Sequence, residues 1–517
     1  MRLIPAVHVA CIVGLLAACT PSPPTADAPA AQAAAQAEPA QIAWRHGDVD
    51  DAFAEAKESG KPVLLYWGAV WCPPCNQLKA GLFKDPAFIA LTERYVPVYL
   101  DGDEEGAQAW GERFGVRGYP TLIVLDPQQN ELTRVAGGND SAELTRVLTV
   151  AAGRRSAVAD TLKLALAEPG KLSAEDWQVL GDYGWEVDAS RLSGSQDSAS
   201  LLGELAAAAP QPALQRRFAL LALASTDDAQ APATRVRELL QVVLAQPDEV
   251  RRNRDLLGYR GAALVKLAST GPASTDALGR QLLAALQRAD AARGNRPDDA
   301  LSRAITEIAL ARLQQPQGEL PAGLTARVRE RVQAADAAAT SAHERQATLG
   351  TAAHALRQAG DDAAAEALLL AELKRSQTPY YYMPELAELA EARGDRTAAV
   401  DWLRKAYEGA QGPATRVQWG VLYVEGLLRL APDDTAAIEA AATRVIAELD
   451  QQPAGYHQRT RQRFERLGSQ LQAWSSEHAG APTLARLRER MQQHCPTAAG
   501  AAPSRAASTG CTQWLQG

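Results

Sequence analysis

Hydrophobic positions along this chain fall into three regimes. Residues 3–16 (LIPAVHVACIVGLL) form one short apolar run behind Arg2, too short for a spanning helix and flanked as a secretory signal is. From 42 to 153, β-rich runs alternate with helical patterns. Asp48–Ser59 has apolar residues at helical spacing, acids near its start and Gly60 after its end, which predicts a helix. Lys61–Gly68 (KPVLLYWG) predicts a buried strand that runs directly into helical periodicity from Cys72. Further strands are predicted at Val96–Leu100, Thr121–Leu125 and Glu131–Ala136, and helices at Gln108–Phe114 and Ser141–Ala152. Asp126–Asn130 is the hairpin turn between the last two strands. From 154 onward only helical patterns recur, between short Gly, Pro and Asp breaks.

Within that helical regime one period is visible. Ala359-Gly360-Asp361-Asp362 and Arg393-Gly394-Asp395-Arg396 lie thirty-four residues apart, each between two helical patterns, with Ala364-Ala365 and Ala398-Ala399 at matching offsets. Thirty-four is the tetratricopeptide period, and the second copy resembles that repeat in Leu386, Ala399, Leu403 and Ala406. The reading is a helical-hairpin solenoid, tetratricopeptide-like over 341–494, after a helical domain over 154–340. The aromatics of Tyr380-Tyr381-Tyr382-Met383 and Trp419 are candidates for a concave face. Inter-repeat packing explains such aromatics more simply, so no site is assigned there.

Composition changes the picture in two places. Residues 20–41 are rich in Pro, Ala and Gln and nearly lack large apolar side chains, so they read as a flexible tether. The net charge of −8, most of it within 42–153, argues against nucleic acid as a partner. Leu16-Ala17-Ala18-Cys19 resembles the bacterial lipobox. That resemblance implies cleavage after Ala18 (a 1–18 signal peptide) and lipid on Cys19, with 19–41 as linker. An ordinary signal cut nearby is the alternative. Thr20 stands where an inner-membrane retention aspartate would, so the expected location is the periplasmic side of a membrane, with the outer one favoured.

The chain has cysteines at 11, 19, 72, 75, 495 and 511. Cys72 and Cys75 are close enough for a strained, reducible ring; Cys495 and Cys511 would close a longer loop that restrains a 495–517 tail. The first pair is therefore expected to be redox-active and the second structural. A zinc site would need a second close-spaced pair, which the sequence lacks, so no metal or other cofactor is expected. The acids of Asp101-Gly102-Asp103-Glu104-Glu105 lack the further ligands of a calcium loop and read as a solvated turn.

Trp71-Cys72-Pro73-Pro74-Cys75 with Gly118-Tyr119-Pro120-Thr121 resembles the thioredoxin superfamily, in particular periplasmic thioredoxin-like domains such as the terminal domain of transmembrane disulfide reductases. The resemblance covers 42–153 and implies an α/β thioredoxin fold, a central mixed sheet flanked by helices. A cysteine in the first turn of a helix is stabilised as thiolate, which gives Cys72 the attacking role and Cys75, one turn further in, the resolving one. Pro73 and Pro74 lack N–H groups, which is tolerable only in that first turn. Pro120 is implied to be a cis-proline facing the disulfide, placing Tyr119 where a substrate strand can pair. Trp71 is either a half-exposed platform beside the sulfur or a core aromatic. Departures from the family are Tyr66 in place of a buried aspartate and Asn76 in place of a lysine. The proton of the resolving thiol then needs water or another group, with Glu112 a candidate.

The function expected from the sequence is a membrane-tethered envelope thiol–disulfide oxidoreductase, a reductase of exported proteins. Its partners would be envelope proteins with thiols or disulfides, an upstream electron donor, and the membrane through Cys19. The alternatives are a helical-repeat scaffold or redox sensor, and an accessory reductase in cytochrome c maturation.

Overall fold

The computed structural model describes residues 41–137, 140–226, 231–316, 318–451, 455–495, 511 and 513–515. The signal, the Cys19 lipid site and nearly all of the tether lie outside the described residues. Five strands, β1 (Arg45–His46), β2 (Val63–Gly68), β3 (Val96–Asp101), β4 (Thr121–Leu125) and β5 (Glu131–Ala136), form one sheet in the order β1-β3-β2-β4-β5. β1 and β2 run parallel to β3, whereas β2–β4 and β4–β5 are antiparallel. Five helices surround it: α1 (Val49–Ser59), α2 (Pro73–Ala80), α3 (Pro86–Thr92), α4 (Glu105–Arg113) and α5 (Ser141–Ala151). This is the thioredoxin fold.

Strand β2 is buried along its whole length because its alternating side chains serve two cores. Leu64 and Tyr66 pack with Leu78, Phe88, Ile89, Leu144 and Leu148 on the α2, α3 and α5 face. Val63, Leu65 and Trp67 pack with Val49, Phe53, Ala56 and Ala107 on the α1 and α4 face. Two elements were not anticipated. β1 is two residues long, too short to carry a periodicity. α3 announces itself only by its cap, Asp85 accepting from the Ala87 and Phe88 N–H groups ahead of Pro86.

The remaining described elements, from Val158–Ala167 to Ala481–His494, are helical. Three apolar clusters follow one another along this region, and neighbours share side chains: Tyr381 and Trp402 border both the second and the third. At the two Gly-Asp turns, Gly360 (φ 75°) and Gly394 (φ 80°) take the left-handed conformation, and Asp361 and Asp395 cap the next helix by accepting from Ala364 and Ala398 N–H. Cys495 and Cys511 are disulfide-bonded and, with Trp514 and Leu515, pack against Phe464, Leu467 and Leu471.

The sheet unit and the helices belong to one body, Ala40–Gly517. Helix Ala342–Gln358 lies against α2, and helix Gln458–Glu477 against α4. At the far edge of the sheet, Gly184 N–H donates to the Arg134 carbonyl of β5, which covers that edge. The Arg134 side chain, 0% exposed, bonds Asp188 at 2.8 Å, Glu131 at 2.9 Å and 3.0 Å, and the Phe114 carbonyl. The loop of Asp101 and Asp103 is no solvated turn: Asp103 accepts from Thr415 N–H at 2.6 Å and from its hydroxyl at 2.8 Å. The sequence reading failed there because Thr415 is more than three hundred residues away. Removing one partner of a buried ion pair strands the other charge. Asp188→Ala should lower stability by about 3 kcal/mol, the low end for a broken buried pair because Glu131 remains with Arg134. Urea denaturation of the full chain measures it, and a loss within error of zero would remove this bond as a fastener of the two regions.

Candidate active site

The run from a buried strand into a helix fixes where the sulfurs lie. Cys72 is the N-cap of α2, with extended backbone (φ −73°, ψ 114°), and Pro73 and Pro74 fill the first helical positions. Cys72 Sγ accepts from the Cys75 N–H at 3.2 Å, so one of the helix's unpaired donors points at this sulfur. Cys72 and Cys75 are disulfide-bonded, 2% and 0% exposed. Ala69 completes their cluster, and Trp71 and Tyr119 pack against it. The Tyr119–Pro120 peptide bond is cis. Asn76 closes the loop from behind, donating to the carbonyls of Val70 (2.8 Å) and Cys72 (2.9 Å).

The helical region surrounds this loop. Trp71 Nε1 donates to Thr415 Oγ1 at 2.8 Å, and the Trp71 carbonyl accepts from Gln346 Nε2 at 2.8 Å. The Trp71 ring stacks on Tyr381 at 6.2 Å and meets Trp419 edge-on at 6.4 Å. His343 Nδ1 lies 2.7 Å from Asn76 Oδ1; because the Asn76 amide nitrogen is already engaged, His343 is the donor. The Arg459 guanidinium sits over both flanking rings, 4.8 Å from the Trp71 centroid and 4.9 Å from that of Tyr119. Gln458, next to it, accepts from Tyr119 OH at 3.3 Å and donates to the Val116 carbonyl at 2.8 Å.

Ionisable groups near the pair are strongly perturbed. Burial pushes the Tyr66 phenol well above its ordinary value, and its hydroxyl has no hydrogen-bond partner among the described residues, so it stays neutral and offers no base to Cys75. Burial pushes Asp103 up to about 6 against the pull of its Thr415 hydrogen bonds. Glu112 is the opposite case: it faces His457 at 3.3 Å, Gln458 N–H at 2.8 Å and Arg461 at 3.5 Å. The hydrogen bond from His457, with those of Gln458 and Arg461 behind it, holds Glu112 at about 2. A carboxylate so firmly ionised is an anchor for the helical region, which removes Glu112 as the proton carrier considered from the sequence.

Cys72, Cys75, Trp71, Pro73, Pro74, Tyr119 and Pro120 thus meet at one place, while Cys495 and Cys511 lie in the apolar cluster of the last helices. The sequence missed Thr415, Gln346, Gln458 and Arg459, none of which carries a local signal. Tyr381 and Trp419 did carry one, and they do pack, but against Trp71 as well as against one another at 6.2 Å.

Residues 49–152 match the family described as thioredoxin-like domain. Thiol:disulfide interchange protein DsbD 1 of Pseudomonas aeruginosa is 34% identical over 111 residues, 21% of this chain and 19% of that protein. Protein disulfide-isomerase tigA of Aspergillus niger is 32% identical over 98 residues, 19% of this chain and 26% of its own. A thioredoxin H-type of Brassica oleracea is 31% identical over 93 residues, 17% of this chain and 68% of its own. The chain therefore spans about a fifth to a quarter of the first two relatives.

The two acids give opposite pH signatures. Glu112 falls from an ordinary 4.5 to about 2 on folding, so its contribution is complete above pH 4.5 and is lost as pH drops towards 2. Asp103 rises from 3.8 to about 6, so the folded state binds its proton more tightly and stability falls as pH climbs from about 4 to about 6. Urea midpoints taken across pH 2–6 should lose the acid-side slope in Glu112→Gln and the upper slope in Asp103→Asn. Profiles parallel to wild type in both variants would contradict the assignment.

Proposed function

We propose, from the premise that this chain belongs to the thioredoxin-like family, that it is a thiol–disulfide oxidoreductase working through Cys72 and Cys75. The observation that carries the reading is Cys72 at the head of α2, its sulfur accepting a backbone N–H, in a cluster packed by Tyr119, whose peptide bond to Pro120 is cis. In the reduced form the same donor favours the Cys72 thiolate. That thiolate attacks one sulfur of a substrate disulfide, forms a Cys72–substrate disulfide and expels the first substrate thiolate. Cys75, deprotonated as it reacts, attacks Cys72 Sγ, re-forms the internal disulfide and releases the second thiolate. The substrate gains two electrons, and a dithiol donor protein restores Cys72 and Cys75.

Reduction of exported proteins is the direction we assign, supported by the Pro73-Pro74 pair and by the likeness to a thiol:disulfide interchange protein. The site would lie on the outer side of a bacterial membrane, tethered through lipid on Cys19; the 1–19 sequence and the bonded Cys495–Cys511 pair support that placement. Among the described residues no helix is long and apolar enough to cross a membrane. Burial of the dithiol under the helical region favours one second reading, a redox sensor whose oxidation state is read out by those helices.

Reduced full chain mixed with glutathione disulfide should be oxidised at Cys72–Cys75. Cys72→Ser should abolish the exchange, and Cys75→Ser should stop at a Cys72–glutathione adduct visible by mass spectrometry. Oxidation of Cys72→Ser at the parent rate would end the enzyme reading.

A further inference from the structure

The groove between Trp71 and Tyr119 is where the proposed chemistry needs a partner, and it is already occupied. One guanidinium, that of Arg459, lies within 5 Å of both ring centroids, so it spans the gap from the residue before Cys72 to the residue before Pro120. Gln458 engages the loop leading to Pro120 through Val116 and Tyr119, and its own N–H is tied to Glu112. Thr460 N–H reaches Gln108 of α4 at 3.3 Å. Tyr456, His457, Gln458, Arg459 and Thr460 are all buried. Gln458 also takes a left-handed backbone, φ 41°, unfavourable for a residue with a side chain, so its hydrogen bonds are holding a conformation the segment would not choose alone. The opposite rim is different: Val70 is 46% exposed and Pro73 and Pro74 are half-buried.

We infer that Tyr456–Thr460 is the specificity-determining element of the dithiol site, lying on the cis-proline side where an extended protein substrate would pair. A low-molecular-weight disulfide, which has no flanking backbone to pair at Tyr119, would approach from the Val70 and Pro73 rim and leave the segment in place. A protein disulfide, whose flanking backbone needs the Tyr119 edge, reaches Cys72 only when the segment withdraws. Gln458 and Arg459 are positioning residues in this scheme and touch no reacting atom. The inference rests on the oxidoreductase reading and adds the class of substrate admitted by the closed form.

The test is single-turnover oxidation of the reduced full chain by glutathione disulfide and, separately, by oxidised insulin. Gln458→Gly removes two side-chain hydrogen bonds yet suits the left-handed backbone, and Glu112→Gln weakens the anchor from the other side. Both variants should react with insulin about tenfold faster, the scale of one or two lost hydrogen bonds, with glutathione disulfide rates within about twofold of wild type. Unchanged insulin rates in both variants, or equal acceleration of both disulfides, would overturn the inference. Should both variants misfold, wild type alone decides it. Reduced Cys72, read by mass spectrometry, should react with iodoacetamide far faster than with a polyethylene-glycol maleimide, relative to a free cysteine peptide; equal relative rates would overturn it. If wild type is oxidised by neither disulfide, it is the oxidoreductase reading that fails.

Discussion

The indole of Trp71 donates to Thr415 while its carbonyl accepts from Gln346, so the residue preceding the first sulfur is held by partners 344 and 275 positions away in sequence. The rest of the arrangement hangs on this grip. Thr415 can accept from Trp71 because its own hydroxyl proton and N–H are spent on Asp103, whose proton affinity burial raises while these two hydrogen bonds pull it back. Gln346 likewise gathers Thr378, Ser376 and Tyr382 onto its carbonyl oxygen while its amide nitrogen reaches Trp71. The active-site loop is thus a fixture of the helical array as much as of its own sheet.

Such a grip is assembled from many small terms. A neutral hydrogen bond nets only about 0.5–1.5 kcal/mol, and one to a charged group somewhat more. The contacts are spread over Asn76, Gln77, Asp103, Glu112, Val116 and Tyr119, so no single one decides whether the face stays closed. The ion pair of Arg134 and Asp188 is of another kind, since both side chains are 0% exposed and either charge left alone would be costly. It pins the first helices to β5, at the edge of the sheet. One fastening therefore joins the regions firmly, and another, around the dithiol, is divisible and can open in part.

The chemistry of the site was legible in the sequence because it is local: Cys72 to Cys75 is one helical turn, and Pro73 and Pro74 can only begin a helix. The sheet was legible for a similar reason, since β2, β3 and β4 each carry a short apolar run and β5 follows β4 across a hairpin turn. What the sequence could not show is what those runs face. Tyr66 reads as the replacement of a buried aspartate, but only the structure shows its hydroxyl buried with no hydrogen-bond partner among the described residues, and Asp103 reads as a turn residue until Thr415 closes on it. Gln458 and Arg459 sit in a polar, arginine-rich stretch whose periodicity reveals a helix and says nothing of the groove it enters. Long-range polar contacts leave no period behind, and much of the cover over this site is made of them, beside the rings of Tyr381 and Trp419.

Burial and reactivity pull against each other here, and the geometry shows how they coexist. An apolar enclosure disfavours a thiolate, and Cys72 is enclosed by Ala69, Trp71 and Tyr119. One contact to the sulfur opposes that cost. The α2 N-terminus supplies a fixed donor to the sulfur, and Arg459 brings a positive charge onto the two rings that flank it. The charge arrives with the same residue that fills the groove. The closed face therefore holds a cation over Trp71 and Tyr119, and a partner that enters the groove has to displace it. One side chain suffices for this because a guanidinium is planar and wide enough to lie over two rings at once, and its charge is held there by both.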